Sequence, residues 1–429
     1  MSEPVENTYH LRFDAFVHSR LYFSENLSKI EYISVQEFEM KRLISIVFIA
    51  ALVAISMISC RKETSVDTSL FTVEEIDGVR HVHNHAPQLG DAPGAKLALI
   101  GQIGKLEAEE EEDLLYDPVD AVRLPNSDIL ILERDGSKVK RYDKDHEYVS
   151  SFGQKGQGPG DFIYPFCLRL SSDRDKIIVA DSKISIFSLD GSYEGGFKPE
   201  RIGGSSIHEE YRTSDMAVLS GLQVILPSHP SLWFDSGEPK LLSVYDRTGS
   251  VVRSFGYVKR YDNPELTLNA NVAFFAADKK DNVFIAYAHQ NRLSKYSSGG
   301  QWIFAADRSL PYEVKNEVKV EIFKSGDMER EFAWPSGSSV TKGISIDHKN
   351  RIWVLTFLRQ PNRFLTFDDD ANLADCYEFD VFDTDGILLF EVPFPDVRFD
   401  NFSICGDRLY LIDSQDESCV YEYRIVESR

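Results

Sequence analysis

YDRTGSVVRSFG, residues 245–256, holds a complete hairpin. Tyr245 ends one strand on an aromatic ring. Asp246 and Gly249 supply the turn, because Asp bonds its own backbone and Gly accepts positive φ. A second short strand follows and ends on Phe255. The pattern recurs as YDKDHEYVSSFG from Tyr142, FSLDGSYEGGF from Phe187, YSSGGQWIFAA from Tyr296 and FDTDGILLFEV from Phe382. Five copies of one hairpin make an internal repeat, and a repeat decides the fold before any single element does.

A second signature precedes each hairpin. It is a polar turn and then a short apolar run: SDILILE at Ser127, DKIIVAD at Asp175, GLQVILP at Gly221, DNVFIAY at Asp281, NRIWVLT at Asn350 and DRLYLID at Asp407. Counted between those positions, the units recur every 46 to 69 residues. Runs this short, rich in β-branched and aromatic residues, suit strands buried on both faces. Each unit therefore reads as four strands, and the chain as an all-β, six-bladed β-propeller of four-stranded antiparallel blades. The apolar run occurs six times but the hairpin five. The last unit lacks its outer strand, and an unpaired edge inside a ring would leave backbone groups without partners. KLALIGQIG, residues 96–104, stands alone before the first unit and is expected to complete the last blade. Residues 311–336 read as an insertion carrying a short helix.

GQKGQGPGDF, residues 153–162, lies between the first and second units. It is no phosphate loop, since Lys155 comes too early and the chain continues into a strand rather than a helix. As a blade linker it works. Gly153, Gly156, Gly158 and Gly160 permit the bends, Pro159 stiffens the crossing, and Phe162 is expected to plug the gap between blades. This G-x-x-G-x-G-P-G-x-F stretch resembles the linker of NHL-type propellers. Together with the YD-x-x-G hairpins and the N-terminal signal described next, it is similar to the six-bladed β-propeller lipoproteins of Bacteroidetes-type bacteria. That resemblance covers about residues 40–428 and implies a fold and an envelope location more than an activity.

MKRLISIVFIAALVAISMISC begins at Met40. Lys41 and Arg42 precede an uncharged stretch, residues 43–59, which is short for a membrane span and suits a signal peptide. Cys60 stands where a lipobox places its lipid-bearing cysteine, although Met57 departs from the usual Leu. Residues 40–59 are thus expected to be a lipoprotein signal and residues 1–39 an unstructured gene-model extension. Residues 60–95 would be a tether and pre-propeller segment, and 96–428 the propeller. The expected location is the bacterial envelope, periplasmic or outer-surface facing, held to the membrane by lipid alone.

A formal charge of −22 over 429 residues argues against nucleic acid as partner. HVHNH puts His81, His83 and His85 at period two, which could hold zinc on one face of a strand. The flanking APQLGDAPG favours an exposed tail instead. Asp181 and Asp413 end apolar runs and could serve calcium, but turn residues explain them more simply. No cofactor is expected. Two long insertions, SHPSLWFDSGEP and RQPNRFLTFDDDANLADC, separate second from third strands and carry Trp233, Phe234, Arg359, Arg363 and Phe364. Aromatic and arginine side chains on loops suit recognition. The leading expectation is a binding or scaffold module for an envelope protein, peptide or glycan. The alternatives are a metal-dependent hydrolase or lyase with its site in the central channel, and an envelope sensor component.

Overall fold

Every apolar run becomes the second strand of a sheet. The computed structural model describes residues 69–428, apart from 91, 106–109, 201–214, 229–238, 326–327, 363–370 and 415. These residues belong to the unit Thr68–Arg429. Residues 1–67, with the signal stretch and Cys60, lie outside them, as do Trp233, Phe234, Arg363 and Phe364.

The described chain starts with β1 (Phe71–Ile76), β2 (Val79–Asn84) and β3 (Ala95–Ile103). Blade one is β4 (Pro118–Arg123), β5 (Ile129–Glu133), β6 (Lys138–Tyr142) and β7 (Tyr148–Phe152). Blade two is β8 (Cys167–Leu170), β9 (Lys176–Ala180), β10 (Ile184–Ser188) and β11 (Tyr193–Phe197). Blade three is β12 (Ala217–Leu219), β13 (Gln223–Pro227), β14 (Leu242–Tyr245) and β15 (Val251–Phe255). Helix α1 (Pro264–Ala270) leads into blade four, β16 (Ala273–Ala277), β17 (Val283–Tyr287), β18 (Leu293–Tyr296) and β19 (Trp302–Arg308). A separate hairpin, β20 (Asn316–Ser325) and β21 (Met328–Gly337), precedes blade five. That blade is β22 (Thr341–Ile346), β23 (Ile352–Phe357), β24 (Tyr377–Phe382) and β25 (Leu388–Pro393). Blade six is β26 (Asn401–Cys405), β27 (Arg408–Asp413) and β28 (Cys419–Glu427), and its fourth strand is β3.

The inner strands touch in sequence and come full circle: β4 to β8, β12, β16, β22, β26 and back to β4. Closure is the pairing of β3 with β28, from Ile103 opposite Val420 to Ala95 opposite Glu427. The chain is thus a six-bladed β-propeller closed by its N-terminal strand.

The core is six wedges, one between each pair of neighbouring blades. Strand β5 shows why the runs are continuous. Ile129 and Ile131 face blade six while Leu130 and Leu132 face blade two. All four side chains are fully buried. At about 1.5–3 kcal/mol for each such side chain, both faces of one strand contribute comparably.

The hairpins share a second device. In all five the strand register shifts at the aromatic residue, Tyr142, Phe187, Tyr245, Tyr296 or Phe382. The bulge tightens the twist and swings the turn back toward the preceding blade. There a positive-φ glycine meets that blade: Gly191 on Phe152, Gly249 on Lys198 and Phe197, Gly300 on Phe255, Gly386 on Phe304. Blade one breaks the rule. His146 holds the glycine place with φ 70°. Its Nε2 lies 2.6 Å from Glu422 Oε2, and a Cβ on Gly101 of β3 would come within 2.7 Å of its ring. At the closing seam the small residue and the ring have changed sides.

Two expectations are corrected. Residues 311–336 hold no described helix but the β20–β21 hairpin. Val318, Val320 and Ile322 alternate at period two, and the two strands pair from Asn316 opposite Gly337 to Ser325 opposite Met328. The helix lies earlier, where Asn263 caps α1 by accepting from the Leu266 N–H (2.8 Å) and Pro264 opens the first turn. HVHNH is no exposed tail either. Its first four residues belong to strand β2, parallel to β19 on the outer rim of blade four. Val82 and Phe71 join the wedge between blades four and five. Asn84 crosses to blade five, donating to the Gly386 carbonyl and accepting from the Leu388 N–H.

Gly249 adopts φ 86°, and a Cβ there would collide with the Lys198 carbonyl. Gly249→Ala is therefore expected to cost roughly 2–4 kcal/mol in urea unfolding, and a loss below about 0.5 kcal/mol would show that the turn does not bear on the preceding blade. A chain lacking residues 95–103 should self-associate through the bared β28 edge, read by light scattering. A monomeric variant with an unchanged melt would contradict closure by β3.

Candidate functional site

A cavity of about 440 Å³ opens on the ring axis. All six blades line it, at the starts of inner strands (Val119, Phe166, Asp215, Phe274, Lys342, Asn401) and just beyond second strands (Arg134, His289, Ser414). Both kinds of position lie on the face where the chain passes from one blade to the next and from second to third strand. The two long insertions leave and return on this same face. Ser228 N donates to the Leu241 carbonyl (2.8 Å) at the base of one, and Leu358 N to the Cys376 carbonyl (2.8 Å) at the base of the other.

Arg169 organises the wall. It projects from inner strand β8 and binds Asp120 of blade one, with its other arm 2.8 Å from Asp215 at the entry to blade three. Its Nε donates to the Met216 carbonyl at 3.1 Å and Nη1 to that of Leu168 at 2.8 Å. Asp120 also accepts from Leu168 N, and Asp215 from Met216 N and, through its second oxygen, from Phe275 N of blade four. One guanidinium and two carboxylates thus tie four blades together. Burial pushes the Asp215 carboxyl above its ordinary value, and Arg169 opposes that shift. Arg134, on the next sector, is forked onto Asp117 (2.5 and 2.9 Å) and lies over the Tyr164 ring. Asp400 accepts from both the Ser414 N–H (2.8 Å) and hydroxyl (2.7 Å).

Lys342 is different. It leaves inner strand β22 with its ammonium 5.0 Å from the centre of the Phe399 ring. Among the described residues no acceptor lies within hydrogen-bond reach. Burial holds its pKa below the ordinary lysine value, with Asp400 pulling the other way.

The histidines of HVHNH stand elsewhere, on the outer rim of blade four. His83 Nδ1 is 2.7 Å from Asp307 and Nε2 is 3.0 Å from Glu74. Burial alone would lower its pKa, but the two carboxylates raise it. His81 meets Trp302 edge-on, with its pKa lowered by burial and then by Arg292. His85 Nε2 is 3.4 Å from the Thr72 hydroxyl. Both ring nitrogens of His83 are thus engaged by carboxylates rather than turned toward its neighbours. Asp181 accepts from Ile163 N and Tyr164 N, and Asp413 from Asp416 N and Glu417 N, so both carboxylates brace loops. Arg359 donates to the Cys376 sulfur at 3.1 Å. In the linker, Phe162 is fully buried against Phe187, and a Cβ on Gly153 would strike its ring. Gly156 and Gly158 pack on the Asp161 carboxylate, which accepts from Gly158 N (3.0 Å), and Gly160 turns the chain after Pro159 with φ 77°. The four described cysteines are free.

Sequence reasoning missed Asp120, Arg169, Asp215 and Lys342. The available signal was positional, since each lies on or next to an inner strand, and those strands line the axis of a closed ring.

Among the described residues, one acidic trio brings three carboxylates within 4.8 Å: Glu378, Asp380 and Glu391. It lies in blade five, off the cavity, with Arg308 of blade four bound to Asp380 and donating to Thr356 at 2.6 Å. Burial, then Asp380 and Glu391, push the Glu378 carboxyl up to about 8.

A family model described as a six-bladed β-propeller matches residues 105–198, the stretch of blades one and two. No curated protein matches the chain. Among solved structures, an exported protein of Bacteroides fragilis is 12% identical, over 81% of this chain and 100% of its own, with a TM-score of 0.46. A Bacteroides vulgatus protein is 12% identical over 78% and 99%, with a TM-score of 0.48. Virginiamycin B lyase of Staphylococcus aureus, solved with quinupristin, is 9% identical over 84% and 97%, with a TM-score of 0.39. Identities this low carry no activity across.

A raised carboxyl keeps its proton in the folded state while the unfolded chain ionises. Glu378 should therefore weaken the fold progressively as pH rises from about 4.5 to about 8. Glu378→Gln removes that dependence. The variant should match the parent at pH 4 and exceed it at pH 8 by roughly 1–3 kcal/mol in thermal unfolding. Parallel pH profiles would contradict the assignment.

Proposed function

We propose that this protein is a binding module of the bacterial envelope that receives its ligand at the mouth of the central channel. The observation that carries this reading is the cavity itself. It is concave, its volume falls within the usual range of about 300–1,000 Å³ for ligand sites, and every blade contributes to it. The two insertions whose bases lie on this face carry in their sequence Trp233, Phe234, Arg359, Arg363 and Phe364, residue types suited to a larger partner such as a protein, peptide or glycan. Export with lipid attachment at Cys60 rests on the uncharged stretch 43–59 and its basic lead-in.

A metal-dependent hydrolase or lyase in the channel fits these residues less well. Both Asp215 oxygens are taken up by Arg169 and backbone N–H groups, and Asp400 is held by Ser414. Asp215 would have to give up structural bonds to ligate an ion, and one oxygen of Asp400 is already committed to Ser414.

A photo-crosslinking residue tests the reading directly. Placed at Asn401 or Ser414 on the mouth, it should yield discrete adducts in envelope extracts. Placed at Val149 or Val252, exposed on outer strands β7 and β15, it should not. Equal labelling from both sets would sink the channel mouth as the binding site.

A further inference from the structure

Charge in the cavity is nearly all spoken for. Arg169 is held by Asp120 and Asp215, and Arg134 by Asp117. Lys342 alone among these cations has no acceptor from any described residue. An ammonium carries three donors, and with no acceptor among the described residues those of half-buried Lys342 are left to solvent or to a ligand. The Phe399 ring gives it a π face, not a lone pair. The rings of Phe166, Phe274, Phe357 and Phe402 also line the cavity, beside polar side chains such as Thr341 and Asn401.

A site with one unmet positive charge and aromatic walls selects its ligand by chemistry. The ligand should bring one acceptor-rich negative group and an apolar body. A dianion such as a phosphate monoester is disfavoured, because only one cation is unpaired and Asp215 and Asp400 stand close by in the same lining. We propose that the cavity binds a monocarboxylate with an aliphatic or aromatic body, its carboxylate accepting hydrogen bonds from Lys342. The depressed lysine pKa fits this, since an arriving carboxylate restores the charged form that burial penalises. The inference rests on the channel mouth being the binding site and adds the class of compound it takes.

The test uses the full-length chain in thermal unfolding with acetate, hexanoate and 3-phenylpropanoate, each beside its neutral amide. Hexanoate and 3-phenylpropanoate should stabilise the protein, acetate far less, and each apolar acid should bind at least about tenfold tighter than its amide. Lys342→Met should melt no lower than the parent and lose the preference for acid over amide, while Lys342→Arg should keep it. Equal binding of acid and amide, a preference that survives in Lys342→Met, or no stabilisation by any acid up to roughly 10 mM would each overturn the proposal. The binding reading fails separately. If Asn401 crosslinks a ligand while the acids do nothing, the site stands and the carboxylate falls.

Discussion

Strand five carries the argument of the whole ring: a sheet edge-on to its neighbours, with both faces of its second strand buried, cannot stand alone. Ile129 and Ile131 belong to one wedge, Leu130 and Leu132 to the next. Each blade is a wall shared by two rooms. Removing one exposes two apolar faces at once, so the blades are stable together or not at all. The channel cavity is a by-product of this rule. Inner strands are held at the axis by wedges farther out, and their side chains are left free to carry charge. Arg169, Asp120 and Asp215 use that freedom to couple four blades.

The closing seam solves a geometric problem with different residues. At the four other hairpin contacts the turn supplies a glycine and the preceding blade supplies bulk. At the seam His146 supplies the ring and Gly101 the space, and the Glu422 carboxylate accepts from the imidazole. Burial would raise the Glu422 carboxyl, but His146 and Arg408 bring it below its ordinary value. The exchange distinguishes this interface from the rest and helps set which strand β28 accepts.

Much of this was legible in the chain. Six apolar runs and five hairpins are local patterns, and the missing sixth hairpin pointed to β3 by subtraction. What was not legible depended on partners distant in sequence. HVHNH read as a tail although β1, just before it, pairs with β2; the partner that ties β2 to the ring, β19, lies more than two hundred residues on. The 311–336 insertion read as helical although apolar and charged residues alternate at period two along β20. Lys342 is one lysine among many until ring closure places it beside Phe399 and Asp400. Its isolation is a property of the assembled channel, and no window of sequence contains it.

The pairing of β3 with β28 also orders events in time. Synthesis delivers β3 before any blade and β28 last of all. Five blades can hairpin and stack as they emerge, because their strands are consecutive. Blade six cannot, since its outer strand has waited through the making of the entire ring. Until the C-terminal residues arrive, the nascent chain is an open arc with an apolar wedge bare at each end. That interval is when a chaperone would find most to hold, and release would coincide with the last strand clicking into register.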